Sequence, residues 1–348
     1  MGVFELSVLD IEDLKIFNQV IPYVKDRMMC DLIKDDLITK LDDRVRQRVI
    51  ASILTPNPMS LRLYQEVLNG VVVEDVVGYV IKLYKKLATS CCFERLFFVA
   101  VLRSGFLLAV LLRYIIYRRH KIKIDVVAIT PNYIDKIFLD LFTDCVDQSN
   151  KDVLFVDGWC SEGVTYNILK KFWQNLYPYK KFRYAVLSNV SRVMDGDLLW
   201  GTRNDVLAPW SMCQTDNLGL SNYFVHPTNG YSSAFIITAD RKLLENSESI
   251  YREIVDRQLK DAGILNSLDS SPEIGNLTIK QMPVSMIKFG INECIKAIDK
   301  RDKGDLYISN HLKKIYSDVL REYAKISGIK HRPTEQPYCF FVKNFSQK

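Results

Sequence analysis

Val153–Phe172 reads VLFVDGWCSEGVTYNILKKF. The apolar run Val153–Val156 predicts a buried strand that delivers Asp157 at its end. A polar turn through Gly158–Glu162 follows, Gly163 gives the backbone freedom, and the spacing beyond it predicts a helix over Val164–Leu176. A strand, a glycine-bearing turn and a helix start, in that order, make an anion site. Backbone N–H groups converge there, and the helix terminus adds roughly half a positive charge. Ser161 and Thr165 can donate hydroxyl hydrogen bonds to a phosphate held by Gly158–Thr165, and Asp157 can accept from ribose hydroxyls. Trp159 suits a stacking surface for ribose or base as well as it suits the core. The competing reading is an ordinary strand–turn–helix in which Glu162 serves as a capping carboxylate.

Upstream, LFFVAVLRSGFLLAVLLR from Leu96 repeats the plan. A strand over Leu96–Leu102 runs into Arg103-Ser104-Gly105, and a helix over Phe106–His120 ends in a basic turn. Arg103 reads either as an anion ligand or as a snorkelling surface arginine. Further strands are expected at Ile122–Ile129 and Arg183–Leu187, with a short helix at Ile134–Phe142. Strands alternating with helices predict an α/β fold, a parallel sheet covered on both faces with ligands at the strand carboxyl ends.

Away from this centre, residues 1–59 read as an N-terminal helical extension. Ser60–Thr89 reads as a long helix with Ser60 as N-cap. Residues 189–237 read as loops and short strands, and Asp240–Ala262 as a helix that closes a main domain over 60–262. Residues 263–278, rich in Asn, Ser, Pro and Gly, read as a linker. A small α/β unit over 279–348 is expected to hold helices at Val284–Ile298 and Tyr316–Ser327, and strands at Leu306–Ile308 and Tyr338–Val342.

The chain has 348 residues and a formal net charge of +6, compatible with a polyanionic partner without demanding one. Its eight cysteines form no Cys-x-x-Cys pair and match no zinc spacing. Free thiols in a reducing cytosol follow, so a cytoplasmic location is expected. Leu96–Ile116 has about the length of a membrane span. Arg103, Ser104 and Gly105 interrupt it, so no membrane is expected. The four histidines (His120, His226, His311, His331) form no protease motif around Cys160, although a cysteine near a helix N-terminus can have a lowered pKa. His226, before Pro227, reads as structural.

The two loops resemble the phosphoribosyltransferase family, whose signature is a hydrophobic strand, two acidic residues, a short loop and a Thr-Gly-x-Thr turn. Asp157 takes the first acidic place and Gly158 the second. Ser161 and Glu162 take the Thr-Thr places, and Gly163 and Thr165 match. Asp157-Gly158-Trp159 looks like the StiP branch, found with bacterial tellurite and stress-resistance genes. So do WGTRNDVLAPW from Trp200 and CQTDNLGLSNYF from Cys213. The C-terminal stretches INECIKAI, DVLREYAKISGIKHRP and PYCFFVKNF resemble a Pelota-type RNA-binding domain.

The resemblance implies a type I phosphoribosyltransferase-like fold that binds 5-phosphoribosyl-1-diphosphate. Its 5-phosphate would rest on Ser161, Glu162, Gly163, Val164 and Thr165. Asp157 would hold the ribose, and Arg103, Ser104 and Gly105 would take the pyrophosphate. Asp135, Arg203, Asn217, Gly219 and Ser221 would face the acceptor under a hood. Magnesium is the implied metal, held through the ligand with Asp157 as a further contact. The expected activity transfers or releases a phosphoribosyl group in nucleoside-like or stress-resistance metabolism. A non-catalytic ribose-phosphate or RNA sensor and a cysteine protease stay open as alternatives. RNA contact through basic residues such as Lys313, Lys330 and Arg332 competes with a solvated helix face, and a homodimer is a further option.

Overall fold

The computed structural model describes residues 15–16, 19–21, 71–101, 104–129, 143, 146–147, 149–160, 163–190, 198–203, 205–206, 220–228, 231–236, 251, 253–260, 287–299 and 303–343. Six parallel strands form the main sheet: β1 (Lys15–Ile16), β3 (Leu96–Val101), β4 (Asp125–Ile129), β5 (Asp152–Cys160), β6 (Tyr184–Asn189) and β7 (Leu198–Thr202). Their order is β1-β4-β3-β5-β6-β7. The expected parallel α/β class is what the chain adopts.

Strict alternation along the central strands builds two cores. Leu154 and Val156 of β5 join Phe98 and Ala100 of β3 on one face, with α1 (Val71–Ser90) and α2 (Ser104–His120). Val153 and Phe155 join Phe97 and Val99 on the other, under Tyr166, Leu169 and Trp173 of α3 (Val164–Leu176). Each fully buried large side chain contributes roughly 1.5–3 kcal/mol, so the double-sided packing fixes the central register. The helix α4, described at 251 and 253–260, lies against α2, where Arg118 forks onto Asp256 at 3.1 and 3.0 Å. A three-stranded sheet joins β2 (Gln19–Ile21) to the hairpin β8 (Leu220–Thr228) and β9 (Tyr231–Ile236).

The C-terminal unit is a mixed sheet of β10 (Ile287–Phe289), β11 (Gly304–Ser309), β12 (Lys330–Thr334) and β13 (Phe340–Lys343), ordered β10-β13-β11-β12. Helices α5 (Ile291–Asp299) and α6 (Lys314–Ile326) pack on one face. Their apolar residues share one continuous core with α1 and α2. Lys313 and Tyr316 both bind Asp75 of α1, the tyrosine at 2.6 Å.

Several expectations change. The described residues of 1–59 are strand, because Lys15–Ile16 and Gln19–Ile21 pair with β4 and β9. The expected helix Val284–Ile298 begins only at Ile291. Ile287 and Phe289 alternate into a strand pairing with β13, and Gly290, at φ 86°, breaks the chain between them. Strand β12, unforeseen in its charged KHRPT, sits at a sheet edge, where Pro333 is tolerated. The helix start at Ser60, the helix at Ile134–Phe142 and the linker lie outside the described residues. Among the described residues no helix is long and apolar enough to cross a membrane.

Candidate functional site

The site forms where β3 and β5 end side by side, paired from Leu96↔Asp152 to Ala100↔Val156. Strand β5 does not turn at Gly158 as expected. It continues to Cys160, because β6 offers partners for it: Trp159↔Ser188 and Cys160↔Asn189. Val190 N–H then donates to the Cys160 carbonyl.

Helix α2 begins at Ser104, so Ser104 and Gly105 form its first turn and not a free loop. A Cβ on Gly105 would lie 1.9 Å from the Val156 carbonyl oxygen, and one on Gly158 would lie 2.4 Å from Ser104 Cβ. Both glycines therefore permit helix and strand to touch. The second acidic place is a glycine because any side chain there collides with Ser104.

This contact brings Ser104 Oγ to Asp157 Oδ1, donating at 2.5 Å. The Gly158 N–H donates to the same oxygen at 2.7 Å, and Tyr184 O–H donates to Oδ2 at 2.8 Å. Asp157 is only 6% exposed. The expectation that it accepts from ribose hydroxyls meets a carboxylate whose two oxygens are already engaged. The Ser104 hydroxyl is committed to Asp157, so only the backbone amide of Ser104 answers to the expected pyrophosphate contact. Burial and the neighbouring carboxylate push the Tyr184 phenol well above its ordinary range, so it stays a donor.

Gly163 adopts the left-handed conformation, φ 73° and ψ 8°, and as the N-cap it offers α3 no side chain. The N–H groups of Val164, Thr165 and Tyr166 lie in the turn where a helix has no internal acceptors. Val164 is 56% exposed and Thr165 half-buried. A β-branched Val164 in the open suits a backbone made to approach something else. Ser161, Glu162, Arg103, Asp135, Asn217 and Gly219 lie outside the described residues. Ser221 falls within β8, and Arg203 stacks over Trp200 at 4.6 Å.

The sequence did not single out the polar edge that continues across the sheet. Ser188 and Asn189 end β6, Thr202 ends β7, and Asp205 follows it; all are buried. Their signal was the switch from apolar to small polar residues at each strand end. Asp205 accepts from the backbone N–H groups of Ile291 and Cys339, both at 2.8 Å, and burial raises its pKa to about 6. Trp159 N–H donates to Glu293 Oε1 at 3.2 Å.

Cys160 is buried among Val101, Tyr166 and Tyr184, 5% exposed. His120 lies at the far end of α2, bound to Tyr84, and His311 and His331 belong to the C-terminal unit. Among the described residues no cluster of His, Cys, Asp or Glu could hold a metal ion.

A family model described as "Tellurite-like stress resistance cysteine protease StiP" matches residues 38–228, more than half of the chain. The chain belongs to the StiP family. The StiP match spans β3 through β8, and so includes both interlocked loops and the polar edge. No curated protein matches this StiP chain. Among solved structures, a hypothetical protein from Neisseria gonorrhoeae with bound ppGpp is similar at 22% identity. It covers 36% of this chain and 78% of that one, with a TM-score of 0.28. The Helicobacter pylori xanthine-guanine-hypoxanthine phosphoribosyltransferase is similar at 19% identity, over 35% and 78%, with a TM-score of 0.25.

Proposed function

We propose that the protein binds a ribose phosphate at the carboxyl ends of β3, β5 and β6, and transfers or releases a phosphoribosyl group there. One observation carries this reading: the start of α3, whose N-cap Gly163 is left-handed and has no side chain, follows β5 at the sheet edge where the strands end in buried polar side chains, Asp157, Ser188, Asn189 and Thr202. An apolar sheet that turns polar only at these ends suits an anionic, hydroxyl-rich ligand. The 5-phosphate would accept from the N–H groups of Val164, Thr165 and Tyr166 and from the Thr165 hydroxyl. Ser161 would add a donor and Arg103 would meet the pyrophosphate, as the resemblance implies.

Asp157 takes a different role from the one expected. Its carboxylate holds Ser104 and Tyr184, so it sets the spacing of the two loops rather than the ribose hydroxyls. Among the described residues no cluster of carboxylates, thiols and imidazoles fits a metal held by the protein. As the donor ionises, positive charge grows on the ribose and negative charge on the leaving pyrophosphate. Fixed main-chain donors at the two loops would then act by position and field.

Isothermal calorimetry with 5-phosphoribosyl-1-diphosphate and with ribose 5-phosphate tests the reading. Binding that weakens in Thr165→Ala, with the fold intact, supports it. Lack of binding by either ligand at millimolar concentration sinks it.

The family description favours a second reading, a cysteine protease with Cys160 as nucleophile. The thiol's burial argues for packing instead, since a nucleophile must meet its substrate and a base. Loss of a peptidase activity in Cys160→Ser, with ribose phosphate binding unchanged, would establish it. RNA contact is a separate proposal for the exposed Lys330, His331 and Arg332 of β12. Electrophoretic shifts with single-stranded RNA, lost on removing those charges, would support it.

A further inference from the structure

Residues Gly290–Glu293 of the C-terminal unit meet the carboxyl ends of three main-sheet strands. A Cβ on Gly290 would lie 3.0 Å from Val190, just past β6. Ile291 N–H donates to Asp205, just past β7, and the Asn292 amide donates to the Val206 carbonyl at 3.0 Å. Glu293 accepts from Trp159 of β5. Asp205 binds the unit a second time through Cys339 N–H. The unit therefore stands on the edge where open α/β sheets hold ligands.

We propose that the C-terminal unit completes the strand-end site, with Glu293 the positioning residue that holds the Trp159 indole as a wall beside the bound sugar. The proposal rests on the ribose-phosphate reading and adds to it a second element of chain and a ligand class. Trp159 lies two residues beyond Asp157 and four before Gly163, and it is half-buried on the core formed by α1, α2 and the C-terminal helices. An indole tied by its N–H to a carboxylate cannot rotate freely about its side-chain bonds. A fixed aromatic face recognises a planar ring with little regard to its substituents. The ligand class implied is a ribose phosphate bearing a heterocyclic ring, a nucleoside monophosphate.

The experiment compares ribose 5-phosphate with adenosine and uridine 5-monophosphates, by calorimetry on the full chain. The wild-type chain should bind the ring-bearing ligands more tightly. Glu293→Ala should remove roughly tenfold of that preference, the scale of one aromatic–base stack, and leave ribose 5-phosphate affinity unchanged. Glu293→Gln keeps an acceptor for the indole N–H and should restore the preference. In a Trp159→Phe background, which lacks the N–H, Glu293→Ala should do nothing further. An unchanged preference in Glu293→Ala, or equal weakening of all ligands, overturns the proposal. Absence of ribose 5-phosphate binding alone overturns the ribose-phosphate reading. The monophosphates and the tryptophan fluorescence response to them then decide the Glu293 proposal, and silence in both overturns it too.

Discussion

Ser104 Oγ donates to Asp157 Oδ1 at 2.5 Å across 53 positions of sequence, joining the first turn of one helix to the neighbouring strand near its carboxyl end. The bond exists because two glycines let the elements touch: Gly105 against Val156, and Gly158 against Ser104. Asp157 is then filled on its other oxygen by Tyr184 from β6. Two strands and a helix are thus registered through one buried carboxylate.

Removing either donor should destabilise the fold by about 1–3 kcal/mol, because a buried carboxylate oxygen loses a partner. Ser104→Ala should lie at the low end, since Gly158 N–H still reaches Oδ1. Tyr184→Phe should lie at the high end, because it removes the fully buried O–H that donates to Oδ2. Urea denaturation of the two variants and the double variant measures this. A coupling near zero in the double-mutant cycle would refute a shared role through Asp157.

The glycine contact makes a sharper claim. Gly158→Ala puts a methyl group 2.4 Å from Ser104 Cβ and should destabilise by several kcal/mol, on the order of 3. Ser104→Gly in the same chain removes the obstacle and should recover part of that loss. Gly105→Ala meets the backbone oxygen of Val156, which no side-chain change removes. Thermal melts of the four chains decide the point, and a Gly158→Ala chain as stable as wild type would refute it.

The sheet itself was legible in the sequence because its signals are local. Val153–Val156 and Leu96–Val101 are continuous apolar runs, as strands buried on both faces must be. Helix α3 follows from its spacing and from Gly163. What escaped reading depends on partners far along the chain. The extension of β5 to Cys160 needs β6 beside it, and Gly158 interrupts the local strand pattern before Trp159. Asp157 resembles a ligand-facing acid until Ser104 and Tyr184 are seen to fill it. β10 hid inside an apparent helix because Ile287 and Phe289 satisfy either period over so short a run. Asp205 was not singled out because its partners are backbone groups of Ile291 and Cys339, over eighty residues later.

Asp205 should make stability depend on pH. Its folded pKa of about 6 lies above its ordinary 3.8, because burial disfavours the charge. The folded chain therefore binds this proton more tightly than the unfolded chain does. The stability so contributed is fully present below about pH 4 and is lost as pH rises through about 6. The change is on the order of 3 kcal/mol for a fully buried group. Asp205→Asn should flatten that part of the profile in chemical denaturation at pH 4–7. A wild-type profile that rises across this range by as much as Asp205→Asn does would remove Asp205 as its cause.

Gly163 offers a prediction that joins stability to the site. A left-handed residue other than glycine costs about 1–2 kcal/mol, so Gly163→Ala should lower the melting temperature modestly. Its φ of 73° also aims the first N–H groups of α3. Replacement by valine, whose branched side chain strains that conformation further, should shift the turn and weaken phosphate binding more than it weakens the fold. Asn, which tolerates the left-handed region, should preserve both. The measurement is ribose 5-phosphate affinity set beside unfolding free energy for the alanine, valine and asparagine chains. Affinity that simply tracks stability across the three would mean that Gly163 shapes the helix start and not a phosphate site.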